Sequence, residues 1–228
     1  EAGFAAGGGW PCWSIGNHDV VRVATRWGDG EAVPARAKEQ LAFLCALRGS
    51  LCLYQGEELG LPEAELAWED LVDPYGIRFW PEFRGRDGCR TPFPWSAAAP
   101  NAGFSTGRPW LPASPAHAPL AVDAQARDPG SVLNACRELI ALRRRQPALR
   151  RGAIRFHDAP DGTLLIERGS GADALLVALN FGADAIDVPL PYPVAAHAGA
   201  PACALARWQK KRVHLPAYGL GYAVPVRP

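Results

Sequence analysis

Apolar positions follow three regimes along the chain. From residue 1 to about 60, short apolar runs alternate with a helix-spaced segment. The run Trp10–Ile15, after the loop Gly7-Gly8-Gly9, predicts a buried strand ending at Asn17-His18-Asp19. Pro34, tolerated at a first helical position, opens a helix whose Ala37, Leu41 and Leu44 share a face that Leu47 continues. Gly49 and Ser50 stop it, and Leu51–Tyr54 predicts a second buried strand ending at Gln55-Gly56-Glu57-Glu58. Strand, polar tip, helix, strand, polar tip is the rhythm of parallel βαβ units, which gather functional groups at the C-terminal ends of their strands.

Residues 61 to about 129 are rich in Pro, Gly, Trp and charge and predict irregular structure. Ser131 then reads as the N-cap of a helix over Val132–Arg145. Val132, Leu133, Cys136, Leu139 and Ile140 form its buried stripe, and Arg143, Arg144 and Arg145 crowd its last turn, where cations suit the dipole. Pro147 prevents extension. Beyond Gly152, period-two and short apolar runs predict strands at 153–157, 163–167, 174–179, 203–208, 213–215 and 221–226, with Asp161-Gly162 as a hairpin signal. The tail therefore predicts a small antiparallel β domain with a structural role.

Composition narrows the function classes. With 24 Lys+Arg against 23 Asp+Glu, the net charge of +1 gives no electrostatic case for nucleic acid or an acidic membrane as partner. Hydrophobic residues at 48% and charged residues at 21% exclude a disordered chain. No apolar run reaches the about 18 residues of a membrane span. The six cysteines show no Cys-x-x-Cys pair, so neither zinc nor a disulfide framework is expected, and they read as buried thiols in a cytoplasmic protein. The sequence holds no Met and starts at Glu1 without a start or signal pattern, which reads as the C-terminal part of a longer protein.

Three polar tips carry candidate chemistry. In Asn17-His18-Asp19, an imidazole beside a carboxylate can hold vicinal hydroxyls, and Trp10, Trp13 and Trp27 could supply an apolar platform for a sugar ring. The segment Gly85-Arg86-Asp87-Gly88-Cys89-Arg90-Thr91-Pro92-Phe93-Pro94-Trp95 sets two guanidinium groups around a braced turn, with Phe79, Trp80, Phe83 and Trp95 close by. Glu57 and Glu58 at the third tip are expected to pair with those arginines as support.

Taken in order, Trp13-Ser14-Ile15-Gly16-Asn17-His18-Asp19 with Arg22, Tyr54-Gln55-Gly56-Glu57-Glu58-Leu59-Gly60, and the Gly85–Trp95 segment closely resemble glycoside hydrolase family 13, in its α-glucosidase and oligo-1,6-glucosidase branch. The resemblance covers essentially the whole chain. It implies an α/β plus all-β fold: residues 1–151 as the C-terminal part of a (β/α)8 TIM barrel, with strands seven and eight, and residues 152–228 as a β-sandwich. It implies that Asp19 is the transition-state stabiliser and that His18 and Arg86 contact the reacting sugar, with Asn17 and Arg22 as further substrate-side residues. Asp87, which would orient Arg86, and Arg90, Glu57 and Glu58 would stand behind them.

The implied activity is retaining, exo-acting cleavage of α-linked glucosides. Such cleavage needs a nucleophile and a proton-donor carboxylate roughly 5 Å apart. In the family these come from strands four and five, which the resemblance places before Glu1, so the 228-residue chain alone is expected to be inactive. No cofactor or metal is expected, and the partner is a small α-glucoside. Two alternatives keep the fold: a transglycosylating relative of sucrose isomerase, trehalose synthase or glucosyltransferase type, and a non-catalytic barrel such as a transporter heavy-chain ectodomain.

Overall fold

A computed structural model of the protein describes residues 2–28 and 33–226. The chain divides into two compact units, one made of Glu1–Trp13, Lys38–Cys52 and Ala135–Pro228, the other of Ser14–Ala37 and Leu53–Asn134.

In the first unit, β1 (Cys12–Trp13) pairs in parallel with β2 (Ser50–Leu51), Cys12 opposite Ser50 and Trp13 opposite Leu51. Two bonds, from the Ser50 amide to the Pro11 carbonyl and from the Cys52 amide to the Trp13 carbonyl, both 2.8 Å, bound the ladder. Both strands are shorter than their apolar runs, because such a run reports burial and says little about how many residues find a ladder partner. The helix predicted from Pro34 spans Val33–Ala46, with Leu41 and Leu44 buried. Its C-terminal carbonyls are capped in trans. Arg143 donates to the Cys45 and Leu47 carbonyls at 2.7 and 2.9 Å and also bonds Gly49 O. Arg143 thus serves the end of another helix, besides lying in the last turn of its own.

Residues 154–225 build two antiparallel sheets. The larger has the order β3 (Ile154–His157), β4 (Thr163–Arg168), β5 (Leu175–Asn180), β10 (Leu220–Pro225), β7 (Val194–Ala196). The smaller has the order β6 (Ile186–Pro189), β9 (Arg212–Leu215), β8 (Arg207–Gln209). β5, buried at every position, lies between β4 and β10 in the register Thr163 to Asn180 and Leu220 to Leu179. Leu165, Leu176 and Ala223 of one sheet and Val188, Val213 and Leu215 of the other belong to one apolar cluster. β6 and β7 escape the sequence pattern because both are short, and β6 is also interrupted by Asp187 and Pro189. The strand expected at 203–208 narrows to Arg207–Gln209.

The second unit is mostly loop and short helical turn. Its apolar centre joins Leu59, Leu61 and Leu133, with Phe93, Leu120 and Val122 packed against them. Buried Gln125 donates to the Leu59 and Leu120 carbonyls and accepts from the Leu133 amide, satisfying backbone groups that no ladder pairs. The helix Val132–Arg145 matches its predicted bounds, and Ser131 Oγ accepts the Asn134 amide at 3.1 Å as the capping reading requires. Ile140 is only half-buried, and Leu142 takes its place in the buried stripe. Among the described residues, no helix is long and apolar enough to cross a membrane.

Candidate active site

All the polar tips singled out above lie in the second unit. Asn17 folds its side chain back so that Oδ1 accepts the Asp19 amide at 2.8 Å, a local turn that fixes the outward direction of Asp19. The Asp19 carboxylate then meets the second tip. Arg86 Nη1 and Arg90 Nη2 both lie 3.0 Å from its Oδ1, and Arg90 Nε donates to the His18 carbonyl at 2.8 Å. The other oxygen, Oδ2, stands 3.5 Å from His18 Nε2. The side chains of His18 and Asp19 are 68% and 51% exposed, so this carboxylate–imidazole pair is open to a ligand. Two segments well separated in sequence thus converge on one carboxylate. One of its oxygens is occupied by two cations, and the other is free beside a ring nitrogen.

Arg86 is itself held from behind. Asp73 receives Arg86 Nε at 3.0 Å, Arg86 Nη2 at 2.9 Å and the Arg86 amide at 2.8 Å, while the guanidinium lies 5.5 Å from the Tyr75 ring centroid. This geometry needs Gly85, whose φ of +76° is left-handed and at which a Cβ would come within 2.9 Å of Asp73 Oδ2. The Arg86 fork holds the Asp73 carboxyl down to about 2, so Asp73 is anionic at neutral pH.

Asp87 was expected to orient Arg86, and the structure corrects this. Asp87 is fully buried and its Oδ2 accepts the amides of Val72 and Asp73 at 2.8 and 2.7 Å, so it fixes the backbone that carries Asp73. Asp73 escaped the sequence reading. Asp73-Pro74 is an N-cap signature, and Asp73 does cap the short helix Pro74–Arg78, but nothing local shows that the same carboxylate reaches Arg86.

Three other expectations change. Arg22 is 4% exposed and does not face a ligand. It donates to the Gln55 carbonyl at 2.6 Å and the Cys89 carbonyl at 2.9 Å and lies 5.6 Å from the Tyr54 ring centroid, tying the three tips together from within. Glu57 and Glu58 form no ion pair with Arg86 or Arg90 among the described residues. Glu58 accepts the Gly56 amide at 2.7 Å and Glu57 the Tyr54 amide at 3.2 Å, because the left-handed Gly56 turn leaves those amides without a ladder partner. Trp10 and Trp13 spend their indole N–H groups on Ser50 Oγ and the Arg48 carbonyl, and Trp27 has the Arg26 guanidinium 4.9 Å from its ring centroid, so each is engaged by its own neighbours. Phe93 and Trp95 instead pack against each other, 4.8 Å between centroids. They line a cleft of about 460 Å³ of which Arg90, Gln55 and Glu58 form the polar wall.

Burial, reinforced by the neighbouring Glu58 charge, pushes the Glu57 carboxyl up to about 7, against the lowering effect of the Tyr54 amide and of Arg22 and Arg26. The unfolded chain releases this proton near its ordinary value of about 4.3. Between that pH and about 7 the folded state therefore binds more protons than the unfolded state, and stability falls as pH rises. Glu57→Gln removes the effect. Its stability relative to the parent is expected to climb by on the order of 3 kcal/mol across that window and then level off, as denaturation midpoints measured between pH 4 and 8 will show. Parallel pH profiles for the two proteins would contradict it.

The family model described as alpha amylase, catalytic domain, matches residues 4–152. The chain belongs to this family. It is 48% identical over 188 residues to a probable alpha-glucosidase of Rhizobium meliloti, covering 82% of this chain and 34% of that protein. It is 30% identical to an oligo-1,6-glucosidase of Parageobacillus thermoglucosidasius over 77% of this chain and 34% of the relative. Among solved structures, an alpha-glucosyl transfer enzyme, XgtA, superposes with a TM-score of 0.88 at 49% identity, covering 96% of this chain and 41% of that one. This alpha-amylase-family chain therefore spans about a third of the length of the curated relatives it matches. Among the described residues, no group of three or more His, Cys, Asp and Glu side chains could hold a metal ion.

Proposed function

We propose that the protein carrying this chain is a retaining α-glucosidase that releases glucose from α-linked glucosides. The arrangement at Asp19 carries the reading: Oδ1 is neutralised by Arg86 and Arg90, and Oδ2 is left open beside His18 Nε2. In this reading His18 and Asp19 hold adjacent hydroxyls of the reacting glucose. Those bonds tighten as the ring flattens toward an oxocarbenium-like state, which lowers the barrier more than ground-state binding does. The Asp19 charge also favours the positive charge that develops on the ring. Asn17 and Arg90 fix the direction of Asp19. The nucleophile and proton donor would come from other parts of the protein. No metal or cofactor enters this scheme.

We also propose that residues 1–151 are the last part of a (β/α)8 barrel and residues 152–228 a β-sandwich. The parallel β1–β2 pair, the exclusively antiparallel pairing within 154–225 and the end of the family match at residue 152 support this. A cytoplasmic location is proposed from cysteines that form no disulfide: Cys45, Cys89 and Cys136 are buried as expected, whereas Cys12 and Cys52 are exposed.

Proton NMR of the protein acting on maltose and isomaltose tests the activity, with glucose appearing first as the α-anomer. Appearance of the β-anomer, or no turnover of any α-glucoside, would overturn it. The likeness to an alpha-glucosyl transfer enzyme favours a second reading, in which another sugar replaces water as acceptor. Oligosaccharide products formed at high sugar concentration distinguish the two.

A further inference from the structure

We propose that Asp73 is a positioning residue of this site: it fixes the Arg86 guanidinium so that Nη1 alone is presented to Asp19. The inference rests on the functional reading above and adds a residue that neither the sequence motifs nor the family resemblance assigned.

Arg86 touches two carboxylates of opposite character. Asp19 has a half-exposed side chain and meets one guanidinium nitrogen, whereas the Asp73 side chain is 0% exposed and takes the other two. A guanidinium is planar and rigid, so occupying Nε and Nη2 on one carboxylate fixes the direction of Nη1 to within the play of those bonds. The Arg86 amide on Asp73 Oδ2 locks the main chain to the same anchor, and the Asp87 carboxylate locks Asp73 in turn through its amide. The resulting chain of contacts runs from buried Asp87 to the Asp73 backbone, then through the Asp73 carboxylate and Arg86 to Asp19. Arg90 cannot substitute for it. Its Nε is committed to the His18 carbonyl, so it reaches Asp19 through Nη2 only.

Without Asp73, Arg86 is free to form its own two-pronged pair with Asp19. That arrangement would draw Oδ2 away from His18 and toward the guanidinium. Substrate could still enter, but the carboxylate would no longer stand where charge develops. A misplacement of about 1 Å costs about 10²-fold in rate. The defect belongs in kcat, with KM changed far less, because the contact matters most in the transition state.

The test is a double-mutant cycle on the whole protein with a chromogenic α-glucoside, combining Asp73→Asn with Arg86→Lys. Asp73→Ser serves as a second variant that keeps an oxygen for the Tyr75 amide and so preserves the helix cap. The expected result is a fall in kcat of about 10²-fold for both Asp73 variants alone and little further effect of either in the Arg86→Lys background. Equal effects of the Asp73 variants in both backgrounds, or a kcat of Asp73→Ser equal to that of the parent, would overturn the proposal. A second readout is independent of turnover. The Arg86 Nε–H is expected to be protected from solvent exchange in the parent and to exchange freely in Asp73→Asn, and an unprotected Nε–H in the parent would equally overturn it. If the parent hydrolyses no α-glucoside, the functional reading falls, and this exchange measurement still decides whether Asp73 holds Arg86.

Discussion

Asp19→Asn in the protein carrying this chain is expected to lower kcat on an α-glucoside by about 10²–10³-fold. The geometry leaves the amide no good orientation. If its oxygen stays with Arg86 and Arg90, the NH₂ group takes the place of Oδ2 beside His18 and donates where a carboxylate accepted. If it turns over, the NH₂ faces two guanidinium groups at the distance of the present 3.0 Å bonds. Either way the negative charge is gone from the place where, in the proposed function, the sugar ring becomes positive. Because Asp19 is half-exposed, stability should change by only about 1 kcal/mol or less, so a loss of activity cannot be charged to unfolding. Asp19→Glu keeps the charge but moves it by a methylene, and is expected to recover only part of the rate. Steady-state kinetics with circular dichroism of each variant check both statements. An Asp19→Asn protein within threefold of the parent would remove Asp19 from the chemistry.

The largest effect on stability is expected at Arg168, far from this chemistry in sequence. Arg168 is 0% exposed at the end of β4 and donates to the carbonyls of Ala46 at 2.6 Å, Gly152 at 3.0 Å and Ala153 at 3.3 Å. It therefore joins the C-terminal turn of the helix Val33–Ala46 to the start of the β region within one compact unit. Arg168→Ala leaves three carbonyls without these donors and a cavity the size of the lost side chain, a combined cost of about 3–5 kcal/mol. Arg168→Met refills much of the volume without supplying donors and is expected to recover about half. Urea denaturation reads the difference, and a loss below about 1 kcal/mol for Arg168→Ala would show that water reaches those carbonyls.

The contrast between these two residues explains what the sequence reveals. Asp19 sits in Asn17-His18-Asp19 at the end of an apolar run, and its partners Arg86 and Arg90 lie in a dense segment of their own, so the motifs are legible separately and their order makes the resemblance specific. The helix Val132–Arg145 is legible for a similar reason: its stripe has the helical period and Ser131 caps it. Arg168 and Asp73 are invisible in sequence because their value comes from tertiary partners. Asp73 meets Arg86 at a sequence separation of 13, with the helix Pro74–Arg78 between them, and Arg168 meets Ala46 at a separation of 122. Arg22 departs from its sequence expectation for the same reason. An arginine shortly after a motif looks available to a ligand, and only the fold shows that its guanidinium is spent on Gln55 and Cys89. The short strands β6 and β7 carry too few alternating positions to stand out from the Pro-containing turns around them.

The most direct measurement is a crystal structure of the whole protein with glucose or an unreacted α-glucoside bound. Adjacent hydroxyls of one pyranose ring are expected within hydrogen-bond reach of His18 Nε2 and Asp19 Oδ2, while Arg86 and Arg90 keep hold of Asp19 Oδ1. A sugar seated elsewhere, with neither residue 18 nor residue 19 touching it, would contradict the assignment.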